Sequence, residues 1–207
     1  ANLAAEFAGR PEVTVLAADA RQVDIDSLAP PDIPYKLVAN LPYYAASPIV
    51  RRFLTAAHKP RTMVVMVQRE VARNMVASPG KMGLMSLAVQ IYGRPGIVSY
   101  VRPRAFRPPP KVTSAIVRIE VYPKPAVDFD SEDHFFTLAR AGFSSPRKQI
   151  RNSLSHGLAV PAEAAEEVLS RAGVDPTRRP QTLALEEWGR LYDAYRDGIS
   201  SRDAGKR

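Results

Sequence analysis

The chain has 207 residues, 45% of them apolar, which is enough for one large domain or a medium domain with a small one and too apolar for wholesale disorder. No apolar run approaches the roughly 18 residues of a membrane-spanning helix, and the absence of Cys excludes disulfides and thiolate metal sites and fits a reducing compartment. The net charge is +8 and it is concentrated: between Asp32 and Glu120 the only acid is Glu70, against fourteen Lys or Arg, a self-repelling stretch that fits a polyanion such as a phosphate backbone.

In chain order, residues 13–19 (VTVLAAD) read as a buried β-branched strand ending on Asp19. Residues 35–42 (YKLVANLP) are a second strand ending in a polar-Pro turn, and helical spacing follows from Ser47 to Ala57 with Pro48 in the first turn. A third apolar run, 62–68, gives way to a helix through Val76, and 84–92 predicts another helix. This alternation predicts a parallel α/β sheet with helices on both faces, a Rossmann-like arrangement. Residues 96–102 and 112–122 are strand-like but joined by a basic, Pro-rich loop, which predicts an antiparallel pair closing one sheet edge. Residues 123–131, with Pro123-Lys124-Pro125, read as a linker.

From 132 onward the pattern is helical. His134–Phe143 is one segment. Ser145 as N-cap and Pro146 at the first helical position open the next, to about Leu158. Pro161 opens a third that Gly173 stops, and Leu185, Trp188, Leu191, Tyr192 and Tyr195 form the apolar stripe of a fourth. The organisation expected is an α/β domain over 1–122, a linker over 123–131, a small all-α domain over 132–199 and a frayed tail over 200–207.

Ligands of open α/β sheets bind outside the carboxyl ends of the strands, where this chain carries Asp19 and the turn Asn40-Leu41-Pro42-Tyr43. The Asn oxygen and the next carbonyl can both accept hydrogen bonds from an exocyclic amine. Pro42 restricts the backbone so that these acceptors converge, and the Tyr43 ring offers a stacking face for a base. Alone, the four residues fit an ordinary Asx-type strand-to-helix turn with a half-buried Tyr better than they fit a base site. His58, His134 and His156 are too scattered for a metal site, so no metal is expected. Arg147, Lys148 and Arg151 fall in a stretch without acids from His134 to Ala162, which points to phosphate contact.

The turn has company. Phe106-Arg107-Pro108-Pro109-Pro110-Lys111-Val112, running into Ser114-Ala115-Ile116-Val117-Arg118, resembles the F-x-P-P-P-K-V-x-S-A-V-V-R signature of the KsgA-type ribosomal RNA adenine N6-dimethyltransferases. Pro146 to Leu154 (PRKQIRNSL) is similar to that family's R-K-x-L-R-N-S-L segment. Arg179-Pro180-Gln181-Thr182-Leu183 with Leu185-Glu186 is similar to its R-P-E-T-L-S-L-E segment. With Asn40–Tyr43 these make four motifs in the family's order, covering nearly the whole chain.

The resemblance implies a class I methyltransferase sheet, S-adenosylmethionine as methyl donor, and N6,N6-dimethylation of two adjacent adenines near the 3′ end of small-subunit (16S) rRNA, with a part in subunit biogenesis. Asn40, Leu41, Pro42 and Tyr43 would position the target adenine, with Phe106 stacking on its other side. Asp19 would accept a hydrogen bond from the cofactor's adenine amine, and Asn40 would adjoin the cofactor. Arg104, Arg107, Lys111, Arg147, Lys148 and Arg151 would contact RNA. The implied partners are small-subunit rRNA and the small ribosomal subunit, met by a cytoplasmic monomer without membrane contact. The family's Gly-rich cofactor loop and its following acid have no counterpart here, since no G-x-G occurs. The resemblance therefore implies about two βα units preceding Ala1, and poor cofactor binding by these residues alone. An Erm-type large-subunit enzyme, a mitochondrial relative, and a non-enzymatic RNA-binding assembly factor are the alternatives.

Overall fold

A computed structural model of the chain describes residues 2–30 and 33–204, the side chains of 199–204 excepted. Four strands, β1 (Lys36–Asn40), β2 (Thr62–Gln68), β3 (Gly93–Val101) and β4 (Ser114–Val121), form one sheet in the order β1-β2-β4-β3. The β1–β2 pair is parallel, while β4 runs antiparallel to both β2 and β3. The parallel start and the antiparallel pair at one edge agree with the sequence pattern, and they follow from connection type: a helix joins β1 to β2, whereas a Pro-rich loop joins β3 to β4.

Helices α1 (Leu3–Glu6), α2 (Ala46–Thr55), α3 (Arg69–Met75) and α4 (Leu84–Gln90) accompany the sheet. Every second residue of β2 and β4 is buried: Met63, Val65 and Val67 meet Ile119, Val117 and Ala115 across the ladder, all fully enclosed. This period of two is the pleat itself. The apolar face of α2 (Ile49, Val50, Phe53, Leu54) and the α4 residues Leu87 and Val89 join the same core.

The strand expected over 13–19 is not formed. These residues pair with no strand among the described residues, and Val15 and Leu16 are 40% and 61% exposed. Branched side chains supply strand propensity, but a strand exists only where a neighbour takes its N–H and C=O groups.

Helices α5 (Glu132–Gly142), α6 (Ile150–Leu158), α7 (Ala162–Arg171) and α8 (Leu185–Ala204) follow. Helix α5 starts two residues earlier than the apolar pattern predicted, because Ser131 accepts a bond from the His134 N–H. Helix α8 continues to Ala204, into the stretch read as a tail, whose residues 205–207 lie outside the described residues. The segment 123–131 is held against the turn between α4 and β3: Ala126 N–H donates to the Ile91 carbonyl at 2.7 Å, just after Tyr122 N–H donates to Tyr92, and Val127 is buried.

The start of α6 corrects the sequence expectation. Ser145-Pro146 makes a turn, closed by Lys148 N–H on the Ser145 carbonyl, and the helix begins at Ile150. Its first two N–H groups donate to the carbonyls of Arg178 and Pro176, so a loop distant in sequence does the capping that a local serine was expected to do.

That loop is a structural junction. The Arg178 guanidinium pairs with the Glu187 carboxylate and reaches the Thr182 carbonyl at 2.7 Å, while Glu187 also accepts the Ala184 N–H at 2.8 Å, at the start of α8. The Gln181 carbonyl accepts from Gly80 and Met82, which ties the α3–α4 loop to the helical part. The Arg178 hydrogen bond holds Glu187 below the ordinary glutamate value of 4.5. A depressed carboxylate stabilises the fold above its unfolded value, and the contribution is lost as pH falls through the folded one. Glu187→Gln is expected to lower stability by about 2 kcal/mol at pH 7, with the gap from wild type closing below pH 4.5. Urea titrations at several pH values check this; a gap independent of pH overturns it.

Candidate active site

Parallel pairing of β1 with β2, and antiparallel pairing of β2 with β4, bring the end of β1, the end of β2 and the start of β4 to one end of the sheet. Asn40 is the last residue of β1 and is exposed. Its carboxamide makes no hydrogen bond among the described residues, so both its acceptor and its donors are available. Leu41 turns inward and is buried, the Pro42 carbonyl accepts the Ala45 N–H at 2.9 Å, and the chain enters α2.

Tyr43 is half-buried, and its hydroxyl lies 2.6 Å from the Ser114 hydroxyl. Ser114 is fully buried at the first position of β4 and pairs with Gln68. A buried hydroxyl needs a partner, and this one fixes the Tyr43 ring to the sheet from a strand 71 residues away in sequence. Ser114 lies within the Phe106–Arg118 motif, which by itself assigns it no role. A lone polar residue opening an apolar strand was the available signal.

Phe106 arrives from the other side. The β3–β4 loop opens with a 3₁₀ turn, Pro103–Ala105, closed by the Phe106 N–H on the Pro103 carbonyl. Three prolines follow and leave the loop few conformations. The result is a cleft of about 240 Å³ lined by Asn40, Leu41, Pro42, Tyr43, Phe106, Pro108 and Pro110. Two motifs more than sixty residues apart in sequence thus share one cavity.

Asp19 is not among these lining residues. Its carboxylate, 38% exposed, is engaged by Arg21 through the backbone N–H at 2.8 Å and the guanidinium at 2.6 Å, and the Arg21 side-chain hydrogen bond holds its pKa down at about 2. The turn carrying it is tied to α2 by Arg52, which donates to the carbonyls of Ala20 and Val23.

Of the cations expected to contact RNA, Arg104, Arg107 and Lys111 are exposed on the β3–β4 loop beside the cleft, and Arg147 and Lys148 are exposed on the turn before α6. Those two were expected on a helix with Arg151; only Arg151 is helical. The Arg151 guanidinium pairs with Glu166 of α7 at 3.0 Å, and its Nε is buried. The acid lies just beyond the acid-free stretch, so only the packing of α6 on α7 reveals it.

The chain matches the family model for ribosomal RNA adenine dimethylase over residues 1–197. It is 47% identical over 193 residues to Ribosomal RNA small subunit methyltransferase A of Dehalococcoides mccartyi (strain CBDB1), an alignment covering 93% of this chain and 66% of that protein. It is 42% identical to the protein of the same name from Pelotomaculum thermopropionicum, covering 94% of this chain and 70% of that one. Among solved structures, that of the 23S rRNA methyltransferase ErmE superposes with a TM-score of 0.66 at 26% identity, over 93% of this chain and 75% of that chain. A Plasmodium falciparum dimethyladenosine transferase shares the fold, with a TM-score of 0.65 at 23% identity over 79% of this chain and 68% of that one. The chain thus spans about two thirds, 66%, of the length of the first of these relatives.

Proposed function

We propose, from the premise that the chain belongs to the ribosomal RNA adenine dimethylase family, that the protein carrying it dimethylates two adjacent adenines near the 3′ end of small-subunit rRNA at N6. The observation that carries the reading is the single cleft uniting Asn40–Tyr43 with Phe106. An adenine flipped from its stack enters between the Tyr43 and Phe106 rings, which offset part of an unstacking cost of a few kcal/mol. The free Asn40 oxygen and the Leu41 carbonyl accept the two amine hydrogens and direct the nitrogen lone pair outward. S-adenosylmethionine, when bound, supplies the electrophilic methyl group. The residues present fit the part of the cofactor that reaches them: Asp19, held ionised by Arg21, has oxygen lone pairs to spare for an adenine amine. Attack in line at a methyl group needs alignment above all, which a turn anchored through Ser114 supplies.

The small-subunit target is favoured over a large-subunit one because the relatives named for the small subunit are 42% and 47% identical, against 26% for the 23S enzyme. In this reading residues 1–122 belong to the catalytic domain and 132–199 form an RNA-binding domain, with Arg104, Arg107, Lys111, Arg147 and Lys148 on phosphates. The protein works as a cytoplasmic monomer. No helix among the described residues is long and apolar enough to cross a membrane. Mapping N6-dimethyladenine in rRNA from a strain lacking the gene tests the reading. Loss of dimethylation at paired adenines near the 3′ end of the small-subunit rRNA is expected, and an unchanged pattern there overturns it.

A further inference from the structure

Two tyrosines are the exposed aromatic residues among those described: Tyr44, at 79%, and Tyr100, at 50%. Tyr44 has a cation partner in Arg21, 5.8 Å from its ring. Tyr100 lies on the edge strand β3 and makes no ring or cation contact among the described residues. Its position is defined by the ladder. Tyr100 pairs with Ala115, one step from the Val101–Ser114 pair, and Ser114 is the residue that holds Tyr43. Directly opposed residues share a face of the sheet, and Ala115 also opposes Val67, so Tyr100 stands on the face that α3 covers.

The cations on the elements next to Tyr100 are unpaired among the described residues. Arg69 and Arg73 are exposed one helical turn apart on α3, and the Arg69 N–H is bonded to the Thr113 carbonyl, next to Ser114. Arg102 is exposed just beyond the end of β3. None of the three guanidiniums has an ion pair or hydrogen bond among the described residues, and Glu70 is the one acid on this part of α3. An exposed ring on β3, with uncommitted guanidiniums on the neighbouring helix α3 and two residues further along the chain, matches the chemistry of unpaired nucleotides, whose bases stack on aromatic rings while cations track the backbone. An apolar protein partner would leave these charges desolvated and unpaired.

We propose that Tyr100, with Arg102, Arg69 and Arg73, forms a second nucleotide site, which stacks an unpaired base of the same RNA whose target adenine enters the Asn40–Tyr43 cleft. Three strand spacings separate β1 from β3 in the sheet order, about 15 Å, so the base held at Tyr100 is one outside the target pair. The inference rests on the RNA substrate proposed above and adds to it a contact that selects the context of the target.

The test uses the intact protein and a small-subunit rRNA hairpin bearing two adjacent loop adenines, with methylation of that hairpin by wild type measured first. Tyr100→Ala is expected to raise KM for the hairpin about tenfold, with turnover at saturating RNA falling less than twofold, and Tyr100→Phe is expected to restore KM. Arg102→Ala should lower the slope of log affinity against log salt by about 1, whereas Arg61→Ala, at the opposite end of the sheet, should leave it unchanged. Failure of wild type to methylate small-subunit rRNA sinks the substrate reading. Active wild type with a Tyr100→Ala KM within twofold of its own sinks the second nucleotide site alone. Equal losses in Tyr100→Ala and Tyr100→Phe likewise overturn it, since stacking needs the ring and not the hydroxyl.

Discussion

Asn40→Ala is expected to lower methyl transfer to small-subunit rRNA by about 10² to 10³-fold while leaving RNA affinity within about twofold. The magnitude is that of deleting one preorganised polar group that acts on developing charge. Asn40 is suited to this because its carboxamide is exposed at the strand end and uncommitted to any other group among the described residues. RNA affinity is expected to survive because the phosphate contacts proposed for the β3–β4 loop and the turn before α6 do not involve Asn40. Single-turnover methylation with saturating RNA, beside a binding titration on the same variant, separates the two quantities. Methylation within fivefold of wild type removes Asn40 from the mechanism. Parallel losses of binding and turnover make it an RNA-docking residue.

Trp188→Ala is expected to have the largest effect on stability, about 3–5 kcal/mol, which lowers the melting temperature by roughly 10 °C or more in a chain of this size. Trp188 is fully buried on α8 and stacks on Phe143 with ring centroids 5.1 Å apart and planes 24° from parallel. Its indole N–H has no partner among the described residues, so its contribution is apolar packing and the ring stack. Its far edge lies so close to Gly142 that a Cβ there would sit 2.5 Å from the ring. The truncation leaves a cavity that α5 and α8 cannot close, because α5 is already held against α6: a Cβ on Gly157 would come within 2.5 Å of the Ala141 Cα. Denaturant titration should show a lower midpoint with an unchanged slope. A melting temperature within 3 °C of wild type, by about the conversion above, refutes the packing account.

Much of this fold is legible in the sequence. The period-two burial of β4 follows the alternation at Val117–Val121, whereas 62–68 is an unbroken apolar run whose period-two burial only the sheet decides. Of the stripe expected on α8, Trp188, Leu191 and Tyr192 are fully buried, and Leu185 and Tyr195 pack partly buried beside them. Two readings failed for the same reason. The segment 13–19 has strand-forming residues but no described neighbour, and Ser145-Pro146 has the local chemistry of a helix start but loses it to the carbonyls of Pro176 and Arg178. In both cases the local preference is worth tenths of a kcal/mol to about 1 kcal/mol, less than the pairing that tertiary neighbours provide or withhold.

The candidate site divides along the same line. Sequence by itself determined the residue types at the cleft, because Asn, Pro and aromatic side chains carry their hydrogen-bonding and stacking chemistry wherever they are placed. It also determined the acid-poor, basic character of residues 33–119. Only the tertiary structure decided that Phe106 shares a cleft with Asn40–Tyr43, that Ser114 anchors the Tyr43 hydroxyl, that Arg21 engages Asp19, and that Arg151 pairs with Glu166. Charge and chemistry are properties of single residues, whereas availability depends on which groups the folded chain brings within about 3 Å of one another.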